Sequence, residues 1–156
     1  MLGITHALIS LAIARAAGLI TIKSYADIAV LVFFSLLPDI DMPYSELGKI
    51  LFPIARPLYR YFGHRNITHS ILCMTLVLGP MLLTGYFFLA FLAYCLHLIA
   101  DSLTYTGIPW FWPYKKNFNF LGGPIITGKW TDFLICAICI AVFLFIEFFP
   151  LLGLHL

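Results

Sequence analysis

Five apolar segments make up most of this chain, and they constrain its fold more strongly than any motif does. They cover residues 7–20, 26–37, 71–83, 86–100 and 133–154 of the 156-residue sequence. Hydrophobic residues form 62% of the chain and charged residues only 10%, a balance far outside that of a soluble domain. The sequence therefore predicts an all-α, integral membrane bundle of about five short helices, folded as one domain over residues 1–156.

The segment lengths and the charges between them predict a topology. Only the fifth segment has the roughly 20 residues that a bilayer-spanning helix needs, so the other four must borrow flanking residues or thin the bilayer locally. If all five cross, the N-terminus and the connections at residues 38–70 and 101–132 share one side of the membrane. By the positive-inside rule that side is cytoplasmic, because it carries most of the basic residues. These are Lys49, Arg56, Arg60, Arg65, Lys115, Lys116 and Lys129.

Seven ionisable side chains fall on this same side, at the ends of the apolar segments or just beyond them. They are His6, Asp39, Asp41, His64, His69, His97 and Asp101. Ionisable groups at membrane depth are costly unless they are paired or ligated, so they mark functional sites. A mixed set of imidazoles and carboxylates suits zinc or a similar divalent ion. The pattern therefore predicts a metal site with loops on one side of the bundle.

Local geometry predicts how two pairs of these side chains are arranged. His97 and Asp101 are four residues apart near the end of the fourth segment, so they share one helical face. They can ligate one ion, or the aspartate can orient the histidine. Asp39 and Asp41 lie between prolines in "LLPDIDMP", where we expect an extended or turning chain with both side chains pointing the same way.

The stretch "GHRNITHS" predicts a helix start. Asn66 or Thr68 can cap a helix that runs into Ile71, which places His69 in the first turn and His64 in the preceding loop.

Each candidate ligand also has an ordinary structural explanation, and the sequence leaves these alternatives open. His6 can be a surface or capping residue, and His64 an interfacial one. Asp39 and Asp41 can end one helix and cap the next. His97 and Asp101 can form a structural hydrogen-bonded pair.

Several basic residues have two interpretations. Arg65 offers a donor fork that suits a phosphate or carboxylate, but it can also snorkel at the membrane interface. Lys115 and Lys116 can hold anionic lipid headgroups or act as positive-inside anchors. Arg15 is expected to pair with Asp27, whereas the sequence suggests no partner for Glu147.

Four motifs together carry a family resemblance. They are "THA" near the N-terminus, "LLPDID", "HRNITHS" and "HLIADSLTYTGIPWFWP", and they cover residues 5–113, about two-thirds of the chain. The chain resembles the YdjM-like family of LexA-regulated, membrane-bound predicted metal-dependent hydrolases. That family is distantly similar to the zinc-dependent phospholipase C and single-strand nuclease superfamily, helical enzymes that bind clustered zinc ions and hydrolyse phosphoesters.

The resemblance implies an inner-membrane protein and a set of metal ligands. The implied ligands are His6, Asp39 or Asp41, His69 with His64, and the pair His97 and Asp101. The soluble enzymes have a second His-x-x-x-acid helix, and this chain has none after Asp101. One or two divalent ions, with zinc the expected metal, therefore fit the chain better than a cluster of three.

The expected activity is metal-assisted hydrolysis of a phosphoester, in which the cation activates a water molecule. One of Asp39 and Asp41 would be a ligand and the other a general base, while Arg65 would hold the substrate phosphate. A site at the membrane surface suits a membrane lipid or a lipid-linked phosphoester as the substrate.

Two other functions are compatible with the residues. The metal can be structural or regulatory in a non-catalytic membrane protein, because seven candidate groups allow either an open or a closed site. A metal or proton carrier is a weaker alternative, since a pathway needs polar groups at several depths and the second side has almost none. The net charge of +2 is small and scattered, so no nucleic-acid partner is expected.

Overall fold

The computed structural model describes residues 1–149, and every regular element in this range is helical. The α-helices are α1 (Gly3–Ala16), α2 (Tyr25–Leu36), α3 (Glu46–Ile50), α4 (Phe52–Phe62), α5 (Ile71–Leu78), α6 (Phe87–Ser102) and α7 (Trp130–Phe148). Short 3₁₀ turns cover Leu37–Asp41, Ile67–His69, Gly79–Leu83 and Phe120–Gly122. The predicted all-α class is confirmed.

The five apolar segments correspond to α1, α2, α5 with its 3₁₀ extension, α6 and α7. Helix α1 begins at Gly3 and ends at Ala16, earlier than the predicted residues 7–20, and the part of the fifth segment beyond residue 149 lies outside the described residues. Two helices, α3 and α4, lie inside the predicted connection at residues 38–70. Helix α4 has no long apolar run because Arg56 and Arg60 interrupt it, so a search for apolar segments passes over it.

One described helix, α7, is long and apolar enough to cross a bilayer, and only 6% of its apolar window is buried. The exposed apolar surface of α7 suits contact with lipid tails. The other apolar helices of the described chain are shorter than a span, so the five-span bundle stays a prediction.

The distribution of polar and apolar side chains is the reverse of that in a soluble protein. Large hydrophobic residues such as Leu76, Leu83 and Phe88 are exposed, whereas His69, His97 and Asp101 are completely buried. This arrangement is what an apolar solvent favours, because there the polar groups find partners only inside the protein.

Helices α1, α2, α5 and α6 pack around a core that contains Leu31, Phe34 and Leu98. Ala90 and Ala93 of α6 are fully buried, and their small side chains let the neighbouring helices approach closely. One end of the fold is formed by the first residues of α1, α5 and α7 and by the last residues of α2 and α6. The connections at residues 37–70 and 103–129 cover this end, which we call the site end.

An ion pair joins the other ends of α1 and α7. The Arg15 guanidinium pairs with the Glu147 carboxylate, and both side chains are partly buried. The predicted pairing of Arg15 with Asp27 is therefore wrong. Helices α1 and α7 run parallel to each other, so residues far apart in sequence meet at the same level.

Asp132, at the start of α7, holds α1 in place at the site end. Its carboxylate is fully buried and accepts hydrogen bonds from Leu2 N (3.0 Å), Thr5 Oγ1 (2.6 Å) and Gly128 N (3.0 Å). The sequence offers one signal for this role, an acidic residue in the first turn of a long apolar helix.

Replacing Asp132 is expected to destabilise the fold. Asp132→Ala leaves three donors without their acceptor, so the free energy of unfolding should fall by about 3 kcal/mol. Asp27→Ala is the control, because Asp27 lies in the first turn of α2 and should change stability by less than about 0.5 kcal/mol. Denaturant unfolding in a mild detergent measures both values. Equal stability of the two variants would contradict the anchoring role.

Candidate metal centre

His97 is fixed in the core of the site end. Its Nδ1 donates to the carbonyl oxygen of Ser35 at 2.6 Å, so its Nε2 is left as the nitrogen with a free lone pair. A backbone carbonyl that holds one ring nitrogen is the usual support of a metal-binding histidine. Ser35 lies in α2, 62 residues away, and its role has no signal in the sequence.

The two aspartates of "LLPDIDMP" lie in the 3₁₀ turn Leu37–Asp41, where α2 tightens after Pro38. The chain is a helical turn and not extended, so Asp39 and Asp41 do not point the same way. They approach opposite nitrogens of His69: Asp39 Oδ1 lies 3.4 Å from Nε2 and Asp41 Oδ2 lies 3.7 Å from Nδ1. Ser45 Oγ supports the turn by donating to the Asp39 carbonyl at 2.7 Å.

His69 lies just before α5 and not in its first turn. Ser70 is the N-cap of α5 and accepts a hydrogen bond from Cys73 N at 3.2 Å, so the predicted caps Asn66 and Thr68 are wrong. Thr68 instead donates to Asp41 Oδ2 at 2.6 Å. The 3₁₀ turn Ile67–His69 directs the His69 ring into the cluster, where the ring is fully buried.

Four side-chain atoms converge at the site end, and we call them the inner group. They are Asp39 Oδ1, His69 Nε2, His97 Nε2 and Asp101 Oδ2. The two Nε2 atoms are 3.2 Å apart, and the carboxylate oxygens lie 3.4 Å from His69 and 3.7 and 3.9 Å from His97. A tetrahedral ion with bonds of about 2.1 Å needs its ligands roughly 3.4 Å apart. The inner group has about this spacing.

Unpaired polar atoms support the same interpretation. Asp101 Oδ2 and both ring nitrogens of His6 are buried and have no hydrogen-bond partner. Buried polar groups are almost always paired, so such atoms call for an unseen partner. His97 and Asp101 are also not a hydrogen-bonded pair, since His97 Nε2 and Asp101 Oδ2 are 3.9 Å apart. The inner group could therefore hold a divalent cation.

His6 adjoins the inner group without being one of its four members. Its ring stacks on His97 with 3.7 Å between ring centroids, and its Nε2 lies 3.3 Å from Asp101 Oδ1. The same Oδ1 pairs with the amine of Met1 and accepts from Arg65 Nη2 at 3.0 Å. One oxygen of Asp101 is thus crowded with donors, while the other faces the inner group.

Asp41 and His64 form the outer part of the cluster. Asp39, Asp41 and His64 make a second set of potential ligands, which we call the outer group. His64 Nδ1 donates to Asp41 Oδ1 at 2.8 Å, and the side chain of His64 is 32% exposed. The structure thus brings all seven predicted ligands together, and Asp39 belongs to both groups.

Arg65 connects this cluster to the protein surface. Its backbone N–H donates to Asp41 Oδ2 at 3.0 Å, and its guanidinium donates to Thr104 Oγ1 at 2.8 Å, to Thr106 and to Asp101. Arg65 has a φ of 56°, a left-handed conformation that is uncommon outside glycine and that clusters at functional sites. Arg65 is therefore held by the protein and does not snorkel.

Opposing effects act on the charges of the cluster. Burial raises the pKa of Asp39, but the His97 and His69 rings outweigh it and hold the pKa well below its usual range. Burial likewise raises the pKa of Asp41, and hydrogen bonds with His64 and His69 lower it further than burial raises it. Burial lowers the pKa of His69, but its contacts with Asp101, Asp39 and Asp41 raise it above the usual range. Asp39 and Asp41 are thus ionised, as metal ligands must be.

Comparison with known proteins identifies relatives of this chain. A family model described as YdjM inner membrane protein matches residues 1–153. The inner membrane protein YdjM of Escherichia coli K12 is 38% identical over 124 residues, which is 74% of this chain and 62% of that protein. The protein of the same name from Shigella flexneri matches to the same extent. The match thus spans less than two thirds of the length of these relatives. No solved structure matches the chain.

Removing a ligand of the inner group is expected to remove bound metal. His97→Ala should lower the divalent metal that purified protein retains by about one equivalent per chain, because the inner group then has three ligands. His64→Ala should keep that ion, since His64 belongs only to the outer group. Elemental analysis of detergent-purified, dialysed protein measures both. Equal metal content in His97→Ala and wild type would contradict the assignment. Asp101→Asn preserves side-chain volume, so loss of metal from this variant would not be explained by loss of the fold.

Proposed function

The chain belongs to the YdjM inner membrane protein family, and on that premise we propose that it is a membrane-bound, metal-dependent hydrolase of phosphoesters. Zinc is the metal that the mixed His and carboxylate ligands suit best, with one or two ions in the inner and outer groups. The substrate would be a membrane lipid or a lipid-linked phosphoester. The site would face the cytoplasm, on the side that carries most of the basic residues.

One observation carries the proposal: the ligand cluster borders, through His64 and Arg65, a cleft of about 740 Å³. A closed structural site has no need of an adjoining cleft, whereas a catalytic site must admit substrate and water. The volume lies in the range of small-molecule sites, about 300–1,000 Å³. Both residues that join the cluster to the cleft carry groups suited to phosphoryl chemistry.

The bound cation would lower the pKa of a water molecule toward about 7 and polarise a phosphoryl oxygen. Asp39 is best suited to be a ligand, since it belongs to both groups. Asp41 is better suited to orient its neighbours, because its two oxygens already accept from His64, Thr68 and Arg65 N.

His64 is suited to accept a proton from the attacking water. Its Nδ1–H is held by Asp41, which leaves the Nε2 lone pair free on a side chain that lines the cleft. This is the support that a carboxylate gives to a general-base histidine in many hydrolases. The role of base, expected for one of the aspartates, is thus better assigned to the pair of Asp41 and His64.

Arg65 is suited to bind the substrate phosphate. Its Nε is buried without a hydrogen-bond partner, and the guanidinium is held by Thr104, Thr106 and Asp101 at the wall of the cleft. A fixed, planar guanidinium at the cleft can place its positive charge and its remaining Nη2–H beside a phosphate oxygen and stabilise the charge that develops there.

A structural metal is the second candidate, and the inner group itself favours it. Four protein ligands in a fully buried group are what a closed structural site offers. Turnover separates the two candidates, because a structural ion holds the helices together without any reaction at the cleft.

Purified protein is expected to release water-soluble phosphate or headgroup from phospholipid in mixed micelles. Removing the inner ligands with His97→Ala or Asp101→Ala should lower the rate by at least about 100-fold, since the chemistry depends on the cation. Lys23→Ala, in the exposed loop between α1 and α2, is the matched control and should leave the rate unchanged. Equal rates in wild type and in both ligand variants, or no release by metal-loaded wild type, would count against the hydrolase and leave the structural role.

Arg65→Lys is expected to keep the positive charge but lose the planar donor fork. Turnover should fall by about 10- to 100-fold, because lysine cannot contact Thr104, Thr106 and Asp101 together and so cannot hold its charge at the same place. Bound metal should be retained, as Arg65 is not a ligand. Rate measurements paired with elemental analysis test this, and an unchanged rate would show that Arg65 serves only the fold.

A further inference from the structure

The cleft beside the cluster has a largely apolar surface, with Tyr105, Ile125 and Ile126 in its lining, and polar and basic side chains are set into it. Its walls carry hydroxyl and amide side chains from Asn66, Thr104, Thr106, Asn117 and Thr127. Two cations, Arg65 and Lys115, line it as well. Among the described residues that line this cleft there is no aspartate or glutamate.

The two neighbouring lysines have different positions. Lys115 lines the cleft, whereas the Nζ of Lys116 lies 5.8 Å from the centre of the Phe118 ring and is not part of the lining. Because the two lysines are adjacent in the sequence, they provide one cation that lines the cleft and a matched cation that does not. Lipid-headgroup binding and membrane anchoring, the two explanations given for these lysines, can therefore be considered for each lysine on its own.

The wall that carries Lys115 and Asn117 is held in a defined shape. Ile108 and Phe118 exchange two backbone hydrogen bonds of 3.2 and 2.9 Å, and Asn117 Nδ2 donates to the Thr106 carbonyl at 3.2 Å. Gly107 has a φ of 61°, and a side chain there would collide with the Phe118 carbonyl. The cleft is thus built before any ligand arrives, which reduces the ordering cost of binding.

The cleft adjoins a second, smaller one at the cluster. The smaller cleft, of about 260 Å³, is lined by the acidic residues Asp39 and Glu46 and by apolar side chains such as Leu2, Leu36 and Met42. His64, Arg65 and Thr127 line both clefts. A phosphodiester centred at these shared residues would have the cleft with Lys115 on one side and the smaller cleft with Asp39 and Glu46 on the other.

We propose that the larger cleft is the headgroup site, and that it selects a phosphodiester of an uncharged polyol, such as phosphoglycerol, over one that carries a cationic amine. This inference rests on the proposed hydrolase function and specifies its substrate class. The side chains of Asn66, Asn117 and Thr127 can pair with the polyol, and Lys115 with Arg65 complements the negative phosphate. An ammonium headgroup would lie beside Lys115 with no carboxylate to pair with, and this mismatch provides the discrimination.

Binding of deacylated headgroups to the full chain in detergent tests the inference without relying on turnover. The probes are glycerophosphoglycerol, glycerophosphoethanolamine and inorganic phosphate, measured by titration calorimetry. Glycerophosphoglycerol should bind wild type at least about fivefold more tightly than either of the others. Lys115→Gln should weaken its binding by about tenfold, whereas Lys116→Gln should match wild type.

Three results would overturn the headgroup site. These are equal affinity for the ethanolamine probe, equal affinity for inorganic phosphate, and equal effects of the two lysine substitutions. Absence of glycerophosphoglycerol binding at millimolar concentration would also overturn it. The failure of the hydrolase proposal can be told apart from the failure of this one. Lys115-dependent binding without phosphoester cleavage would support the headgroup site and refute the hydrolase activity. Cleavage without a headgroup preference would support the activity and refute the headgroup site.

Discussion

Ionised carboxylates buried away from water are the constraint on which this structure depends. Asp41 and Asp101 are fully buried and Asp39 is almost so, in a chain whose outer surface is largely apolar. A carboxylate in such surroundings is strongly unfavourable unless donors or cations surround it. Asp41 has a full set of donors, whereas one oxygen of Asp101 has none. The Asp101 oxygen without a donor lies near the Nε2 atoms of His69 and His97, so a cation bound there would balance its charge.

The arrangement of the helices follows from this requirement. Short helices end at one level, so that polar residues at their ends can meet while their apolar sides face outward. The supporting contacts come from the neighbouring elements: the Ser35 carbonyl orients His97, Ser45 supports the turn of Asp39, and Asp132 anchors α1. These groups bind no ion themselves, but a ligand displaced by about 1 Å would spoil the spacing of the inner group.

The two groups of the cluster suit different tasks. The inner group is enclosed and offers four potential ligands, as a structural site does, whereas the outer group offers three and reaches the cleft through His64. Because Asp39 belongs to both groups, an ion bound in one group would affect the binding of an ion in the other. In the proposed hydrolase, an inner ion would position a reactive outer region, which would combine rigidity with an accessible site.

Much of this protein could be predicted from its sequence, because the relevant signals are local. Apolar run lengths indicated the main helices, and the rule that intramembrane ionisable residues are functional selected the seven side chains that the structure brings together. Local rules failed where the backbone could take more than one turn. They did not distinguish an extended chain at Asp39 and Asp41 from a 3₁₀ turn, nor did they identify Ser70 as the cap of α5.

By itself, the sequence determined the class of fold, the residue types of the site and the helix ends at which they gather, since hydropathy and helical spacing act over a few residues. Only the tertiary structure decided which atoms meet. It paired Arg15 with Glu147, assigned Asp132 to α1, and separated Lys115 from Lys116. Such contacts depend on how helices more than a hundred residues apart pack against one another, and on the direction of each side chain. Neither is encoded in the spacing of residues along the chain.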